Sequence, residues 1–133
     1  MLSRGWIVWV KPDAVPSMAN AELAWTDFNK NTKHIVCSIA QTNKERVKHP
    51  TQKPVKVMVF SLEYAPNSET VCDPFMGSGT TGVACAQMGK IFTGIERERK
   101  YFDIACERIE RAQAQGQLLP HEPVAKAEQA AMF

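Results

Sequence analysis

The chain has 133 residues, 44% of them hydrophobic, and a formal net charge of +2. That length suits one small globular domain, and a charge so close to neutral rules out nucleic-acid binding through overall basicity, leaving room only for a local basic face. No apolar run is long enough to span a membrane and no signal-peptide pattern is present; Cys37, Cys72, Cys85 and Cys106 lie far apart without a C-x-x-C pair, which fits reduced thiols in a cytoplasmic protein better than a disulfide framework or a metal centre.

Met1–Arg4 offers nothing to anchor a fold, and the first element is Trp6-Ile7-Val8-Trp9-Val10, a continuous apolar run that predicts a strand buried on both faces. It breaks into Lys11–Ser17, a loop punctuated by Pro12 and Pro16. Asn20–Phe28 reads as a second strand, with Glu22, Ala24, Thr26 and Phe28 on one face and Leu23, Trp25 and Asp27 on the other. After the polar turn Asn29–Lys33, His34–Ala40 is a third β-type run, and the second and third runs predict an antiparallel hairpin. Gln41–Lys48 is polar and basic; Lys44, Arg46 and Lys48 suit either a solvated loop or contacts to DNA phosphates that position a duplex without reading its bases. Pro54 suits a first helical position, and Val55, Met58, Val59 and Leu62 make an apolar stripe that ends near Ala65, ahead of Pro66.

The centre of the chain is Glu69–Ala86. Thr70–Cys72 reads as a short strand whose ladder Pro74 ends, because proline has no N–H to donate. Gly77 and Gly79 permit positive φ and close approach of backbone to a ligand; Thr80 or Thr81 then starts a helix whose Gly82, Ala84 and Ala86 allow tight packing. A second strand, Ile91–Glu96, ends in a carboxylate, the usual acceptor for ribose hydroxyls at that place in a β-α-β unit. Gly77–Gly82 also matches G-x-G-x-x-G, so a nicotinamide-dinucleotide site and a plain tight turn both stand beside the nucleoside reading. Glu98–Gln115 predicts an amphipathic helix with Tyr101, Ile104, Ala105, Arg108 or Ile109, and Ala112 along the apolar side. Glu107, Arg108, Glu110 and Arg111 form a charge cluster on its solvated side, and Gly116 is a natural stop.

Asp73-Pro74-Phe75-Met76-Gly77-Ser78-Gly79-Thr80-Thr81 resembles the S-adenosylmethionine-binding motif of the DNA amino-methyltransferases, which act on adenine N6 or cytosine N4. His49-Pro50-Thr51-Gln52-Lys53-Pro54 resembles a second motif of that family, in the order of its β group, and the likeness spans about Trp6 to Arg111. The resemblance implies an α/β, Rossmann-like methyltransferase sheet, incomplete, with an antiparallel hairpin at one edge. It implies a partial methyltransferase domain over 1–116: strands flanking the active site in 6–40, a cofactor-side turn and helix in 49–65, and the cofactor-binding β-α-β-α in 69–115, with 117–133 a tail. S-adenosyl-L-methionine is the implied cofactor. By the same resemblance Gly77 and Gly79 wrap it, Phe75 lies beside the adenosine, Asp73 near the methionine amino group, and Glu96 on the ribose. Thr80 and Thr81 cap the helix or reach the carboxylate, and Thr51 and Lys53 close the amino-acid end. The implied partner is double-stranded DNA, and the form of the His49–Pro54 motif favours adenine N6. Trp9, Lys11 and Pro12 match a Trp-x-Lys-Pro strand end that faces the target base; a core Trp with an exposed Lys is the equal alternative.

One part of the family pattern is missing. Its catalytic (Asp/Asn/Ser)-Pro-Pro-(Tyr/Phe/Trp) tetrapeptide, which accepts the target NH₂ and stacks the flipped base, is absent: the one Asp-Pro, Asp73-Pro74, belongs to the cofactor motif. No catalytic residue is therefore assigned. In the β-group order the motif would precede Met1, so the expectation is the C-terminal portion of a methyltransferase, a truncated copy or one half of a split enzyme. The 6–10 and 70–72 strands would then either pair directly or receive the missing strand from a second chain; a homodimer is the other partner expected. A non-catalytic cofactor- or DNA-binding module is the alternative.

Overall fold

Trp6–Val10 forms β1, the central strand of a three-stranded sheet, in the computed structural model, which describes residues 5–45 and 52–116. The chain falls into two units, Met1–Arg46 and Val47–Phe133. In the first, β2 (Ala21–Trp25) pairs antiparallel with β1, Trp6 opposite Trp25 and Val10 opposite Ala21. On the other edge, β3 (Lys33–Val36) runs parallel to β1, with Val8 opposite His34. The expected hairpin of the second and third runs does not form, because they lie on opposite edges of β1.

The cause is visible at Gly5. Its N–H donates to the Phe28 carbonyl at 2.9 Å, and its own carbonyl accepts the Thr26 N–H at 3.2 Å and the Thr26 hydroxyl at 2.7 Å. These bonds hold the chain against the start of β1 after β2 has ended, and from there it passes to the other edge. The most apolar strand takes the centre and its ladders on both sides, and the mixed runs become edges. Both edges of β1 are occupied by strands of its own unit. Burial on both faces is also corrected: Ile7 and Trp9 are buried, whereas on the other face Trp6 is 40% exposed and Val8 and Val10 are half-buried.

The third run is shorter than its sequence pattern, since Ile39–Glu45 forms a helix, α1. The Asp13 carboxylate accepts the Ile39 N–H at 2.7 Å and the Ala40 N–H at 2.9 Å. Two of the donors that a helix start leaves unpaired are thereby satisfied from a loop 26 and 27 residues away.

The second unit holds α2 (Val55–Glu63), β4 (Thr70–Asp73), α3 (Thr80–Met88), β5 (Ile91–Gly94) and α4 (Arg99–Gly116). β4 and β5 are parallel, Asp73 opposite Gly94, so the expected β-α-β unit is present. Pro54 is the N-cap of α2 rather than its first helical residue, and the buried residue of that helix is Val57, which the expected stripe passes over. The core gathers Val83, Ile109 and Ala112, with Val55, Ala86 and Phe92 packed against them. Gly82 has a specific task there: a Cβ on it would stand 2.7 Å from the Phe92 ring. Among the described residues no helix is long and apolar enough to cross a membrane, and no group of three metal-ligating side chains occurs.

Candidate functional site

β4 delivers Asp73 at its C-terminal end, Pro74 stops the ladder, and the chain turns through Gly77 and Gly79 with φ of 53° and 77°. At Gly79 conformation and space agree: a Cβ would stand 2.8 Å from the Ala105 Cβ, and the left-handed backbone already disfavours any side chain. Gly79 is the N-cap of α3 and contributes no side-chain cap, so no capping side chain covers the N–H groups of the first turn.

Two carboxylates brace this turn. Asp73 Oδ1 accepts the Phe75 N–H at 3.0 Å and Oδ2 the Thr81 hydroxyl at 2.6 Å. Glu96, just past β5, accepts the Gly77 N–H on Oε2 at 3.1 Å and the Glu98 N–H on Oε1 at 2.7 Å. Backbone bonds from the Ile95 N–H to the Asp73 carbonyl (2.9 Å) and from the Met76 N–H to the Ile95 carbonyl (3.0 Å) knit the two strand ends together. Each carboxylate oxygen keeps a second lone pair for a ligand hydroxyl or ammonium. Beside them Phe75 is 88% exposed, a flat apolar ring left in solvent at the mouth of a polar turn.

Asp73, Phe75, Gly77, Gly79, Thr80, Thr81 and Glu96 are thus brought together. Of the two roles expected of the threonines, the helix cap is not taken: both are buried, Thr81 donates to Asp73 and Thr80 accepts from Arg108. Lys53 is exposed; Thr51, like Arg46, Lys48, His49 and Pro50, lies outside the described residues, as does 117–133.

Three participants were not singled out from the sequence. Gln52 is buried and accepts the Ser78 hydroxyl at 3.4 Å. Ser78 itself is buried in the turn. Arg108, expected either on the apolar period of α4 or in its solvated charge cluster, points its Nη1 inward, donating to the Ser78 carbonyl at 2.6 Å, the Ser78 Oγ at 3.1 Å and the Thr80 Oγ1 at 3.3 Å. Its spacing from Ala105 and Ala112, both buried, was the signal: a cation on the apolar side of a helix needs partners.

In the first unit Trp9 is buried and its indole N–H donates to the Cys37 carbonyl at 2.8 Å, the behaviour of a core residue. Lys11 is not the exposed lysine of the alternative reading. It is 6% exposed, paired to Glu22 at 3.0 Å, with its ammonium 5.2 Å from the Trp9 ring. Pro12 is exposed, and so is Lys44 in the last turn of α1. Burial pushes the Cys85 thiol up to about 11 and raises that of Cys106, which suits packing thiols rather than nucleophiles.

A family model described as DNA methylase matches residues 24–107. The chain is 43% identical over 77 residues to the type II methyltransferase M.HinfI of Haemophilus influenzae, a match covering 51% of this chain and 21% of that protein. It is 44% identical over 64 residues to M2.DpnII of Streptococcus pneumoniae, covering 47% and 24%. The chain therefore spans about a quarter of the length of the curated relatives it matches. Among solved structures, the M1.HpyAVI–SAM complex superposes with a TM-score of 0.63 at 30% identity, covering 77% of this chain and 60% of that one. A Thermus thermophilus protein solved with S-adenosyl-L-methionine gives 0.54 at 23% identity, covering 80% and 52%, a likeness of fold alone.

Proposed function

The chain belongs to the DNA methylase family, and from that premise we propose that it forms the cofactor-binding part of a site-specific DNA amino-methyltransferase using S-adenosyl-L-methionine. The observation that carries this is the bracing of one glycine turn by two strand-end acids, Asp73 through Thr81 and Glu96 through the Gly77 N–H, with Phe75 left exposed beside them. The bound cofactor supplies a methyl group on a sulfonium, a good electrophile that the protein need only hold and orient. Glu96 receives the ribose hydroxyls on its remaining lone pairs, Phe75 lies along the adenine, and Gly77 and Gly79 let the backbone approach. Asp73, Thr51 and Lys53 serve the amino-acid end.

The substrate is double-stranded DNA, with adenine N6 preferred to cytosine N4 on the strength of the His49–Pro54 motif. Lys44 and Arg46 contact phosphates, and of Trp9, Lys11 and Pro12 it is Pro12 that has the exposure a base-facing rim needs. No Pro-Pro-aromatic tetrapeptide occurs in these 133 residues, so the acceptor for the target NH₂ is contributed by residues other than these, in the same polypeptide or in a second, different chain. Work on DNA, together with four free cysteines, fits the cytoplasm. The missing tetrapeptide also favours a second reading, a non-catalytic cofactor- or DNA-binding module that completes a partner.

Calorimetric titration with S-adenosylmethionine, with NAD as control, tests the cofactor. Heat with the first and none with the second is expected; NAD binding would instead favour the dinucleotide reading of Gly77–Gly82. Methyl transfer to duplex DNA separates the two functional readings. It is expected when a segment carrying the tetrapeptide is added, whereas none on addition would leave the non-catalytic module, and transfer by this chain alone would refute both.

A further inference from the structure

We propose that Arg108 is a positioning residue of this site: by holding the Ser78 carbonyl it sets the orientation of the Ser78–Gly79 peptide, and so the shape of the glycine turn that receives the cofactor. The inference rests on the cofactor reading above. Ser78 sits between two glycines of positive φ, the residues with the greatest backbone freedom in any chain. A peptide flanked by glycine can rotate its whole plane at little steric cost, as the sterically permitted pairs of turn types show. The turn's own bond, Gly79 N–H to the Met76 carbonyl, holds one side of that plane, and a contact from outside the turn holds the other.

A peptide is planar, so fixing the carbonyl oxygen of Ser78 fixes the N–H of Gly79 on the opposite side. Nη1 of Arg108 lies 2.6 Å from that oxygen, and the bond is charge-assisted. Ser78 is 3% exposed, so water competes little for the carbonyl. The Gly79 N–H then donates to the Met76 carbonyl at 2.8 Å. Contacts of the same Nη1 to the Ser78 and Thr80 hydroxyls, and of Ser78 to Gln52, spread the hold over the whole turn, while Glu96 fixes Gly77. Arg108 thus acts through Ser78 rather than on the cofactor, whereas Arg111 on the same helix pairs with Glu107 at the surface.

The test compares Arg108→Met, Arg108→Lys and the control Arg111→Met in the full chain, by amide hydrogen exchange without ligand and by calorimetry with S-adenosylmethionine. Losing a charge-assisted bond of this kind corresponds to about a tenfold or greater weakening of binding. Arg108→Met is expected to speed exchange across Gly77–Thr81 and to weaken binding by that factor, with α4 amides from Ala105 to Ala112 still protected. Arg108→Lys is expected to recover part of both effects, and Arg111→Met to change neither. Wild-type exchange and affinity in Arg108→Met would overturn the proposal. So would loss of protection throughout α3 and α4, the mark of a mere structural prop. Should Arg108→Met not fold, Arg108→Lys carries the same comparison. If the wild-type chain binds no S-adenosylmethionine, the cofactor reading falls, and the exchange data still decide whether Arg108 orients the turn.

Discussion

The Glu96 carboxylate accepts the Gly77 backbone N–H at 3.1 Å, joining the end of the second strand of the β-α-β unit to the turn that follows the first. One side chain therefore shapes the turn and offers acceptors for a ligand. Hydrogen bonds to a charged group contribute about 1.5–3 kcal/mol each. Glu96→Ala should accordingly raise the dissociation constant for S-adenosylmethionine about 10- to 100-fold, since about 1.4 kcal/mol is tenfold. Glu96→Gln, which keeps one acceptor oxygen, should fall between. Calorimetry reads both, and wild-type affinity in Glu96→Ala would remove Glu96 from the site.

Two glycines with nearly the same backbone geometry differ in their surroundings. Gly79 has φ 77° with Ala105 crowding the place of a Cβ; Gly89, which ends α3, has φ 66° and nothing within 4 Å. Gly89→Ala should cost only the left-handed strain, about 1–2 kcal/mol. Gly79→Ala adds overpacking of about 1–3 kcal/mol and should cost roughly 2–5 kcal/mol. Urea unfolding of both variants measures the difference. Equal losses would mean that α4 yields to the added methyl.

The turn and Glu96 were legible in the sequence because they obey local rules: proline ends a ladder, glycine permits positive φ, and a strand delivers its last side chain to its tip; Asp73 was marked out by the family resemblance alone. The buried stripe Ala105, Ile109 and Ala112 was legible from period alone. What was missed depends on partners distant in the chain. His34–Ala40 reads as one β-type run, yet Asp13 supplies two acceptors that turn its end into a helix start. The pairing of β2 and β3 was misjudged because a hairpin is the default for neighbouring runs, and the Gly5 bonds to Thr26 and Phe28 are invisible in either run. Arg108 fits both the apolar period and the charge cluster in the sequence, and only its partners Ser78 and Thr80, distant in the chain, decide between them.

Lys11 and Glu22 form an unequal pair, with side chains 7% and 38% exposed. Removing the acid strands a buried ammonium beside the Trp9 ring, whereas removing the lysine leaves a carboxylate that water can reach. Glu22→Gln should therefore cost more, about 1–3 kcal/mol after allowance for screening at the half-exposed partner. Lys11→Met should cost under about 1 kcal/mol, since it exchanges a buried charge for apolar surface of similar shape. The double variant should be no worse than Glu22→Gln alone, the signature of coupling in a double-mutant cycle. Additive losses in urea melts would show that the two side chains act independently.

Asp13 gives the fold a dependence on acid. Hydrogen bonds from the Ala40 N–H and then the Ile39 N–H hold its carboxyl below the ordinary 3.8. A carboxyl whose folded value is depressed lends stability that is present above its unfolded value and lost as pH falls through the folded one. The amide signals of Ile39 and Ala40 should thus shift on acidification with a midpoint below 3.8, as α1 loses its start. Asp13→Asn keeps an acceptor oxygen but cannot titrate, so the same signals should lose that step while part of α1 persists. An NMR titration in which the wild-type midpoint falls at or above 3.8 would show that the Asp13 bonds do not hold the start of α1 in solution.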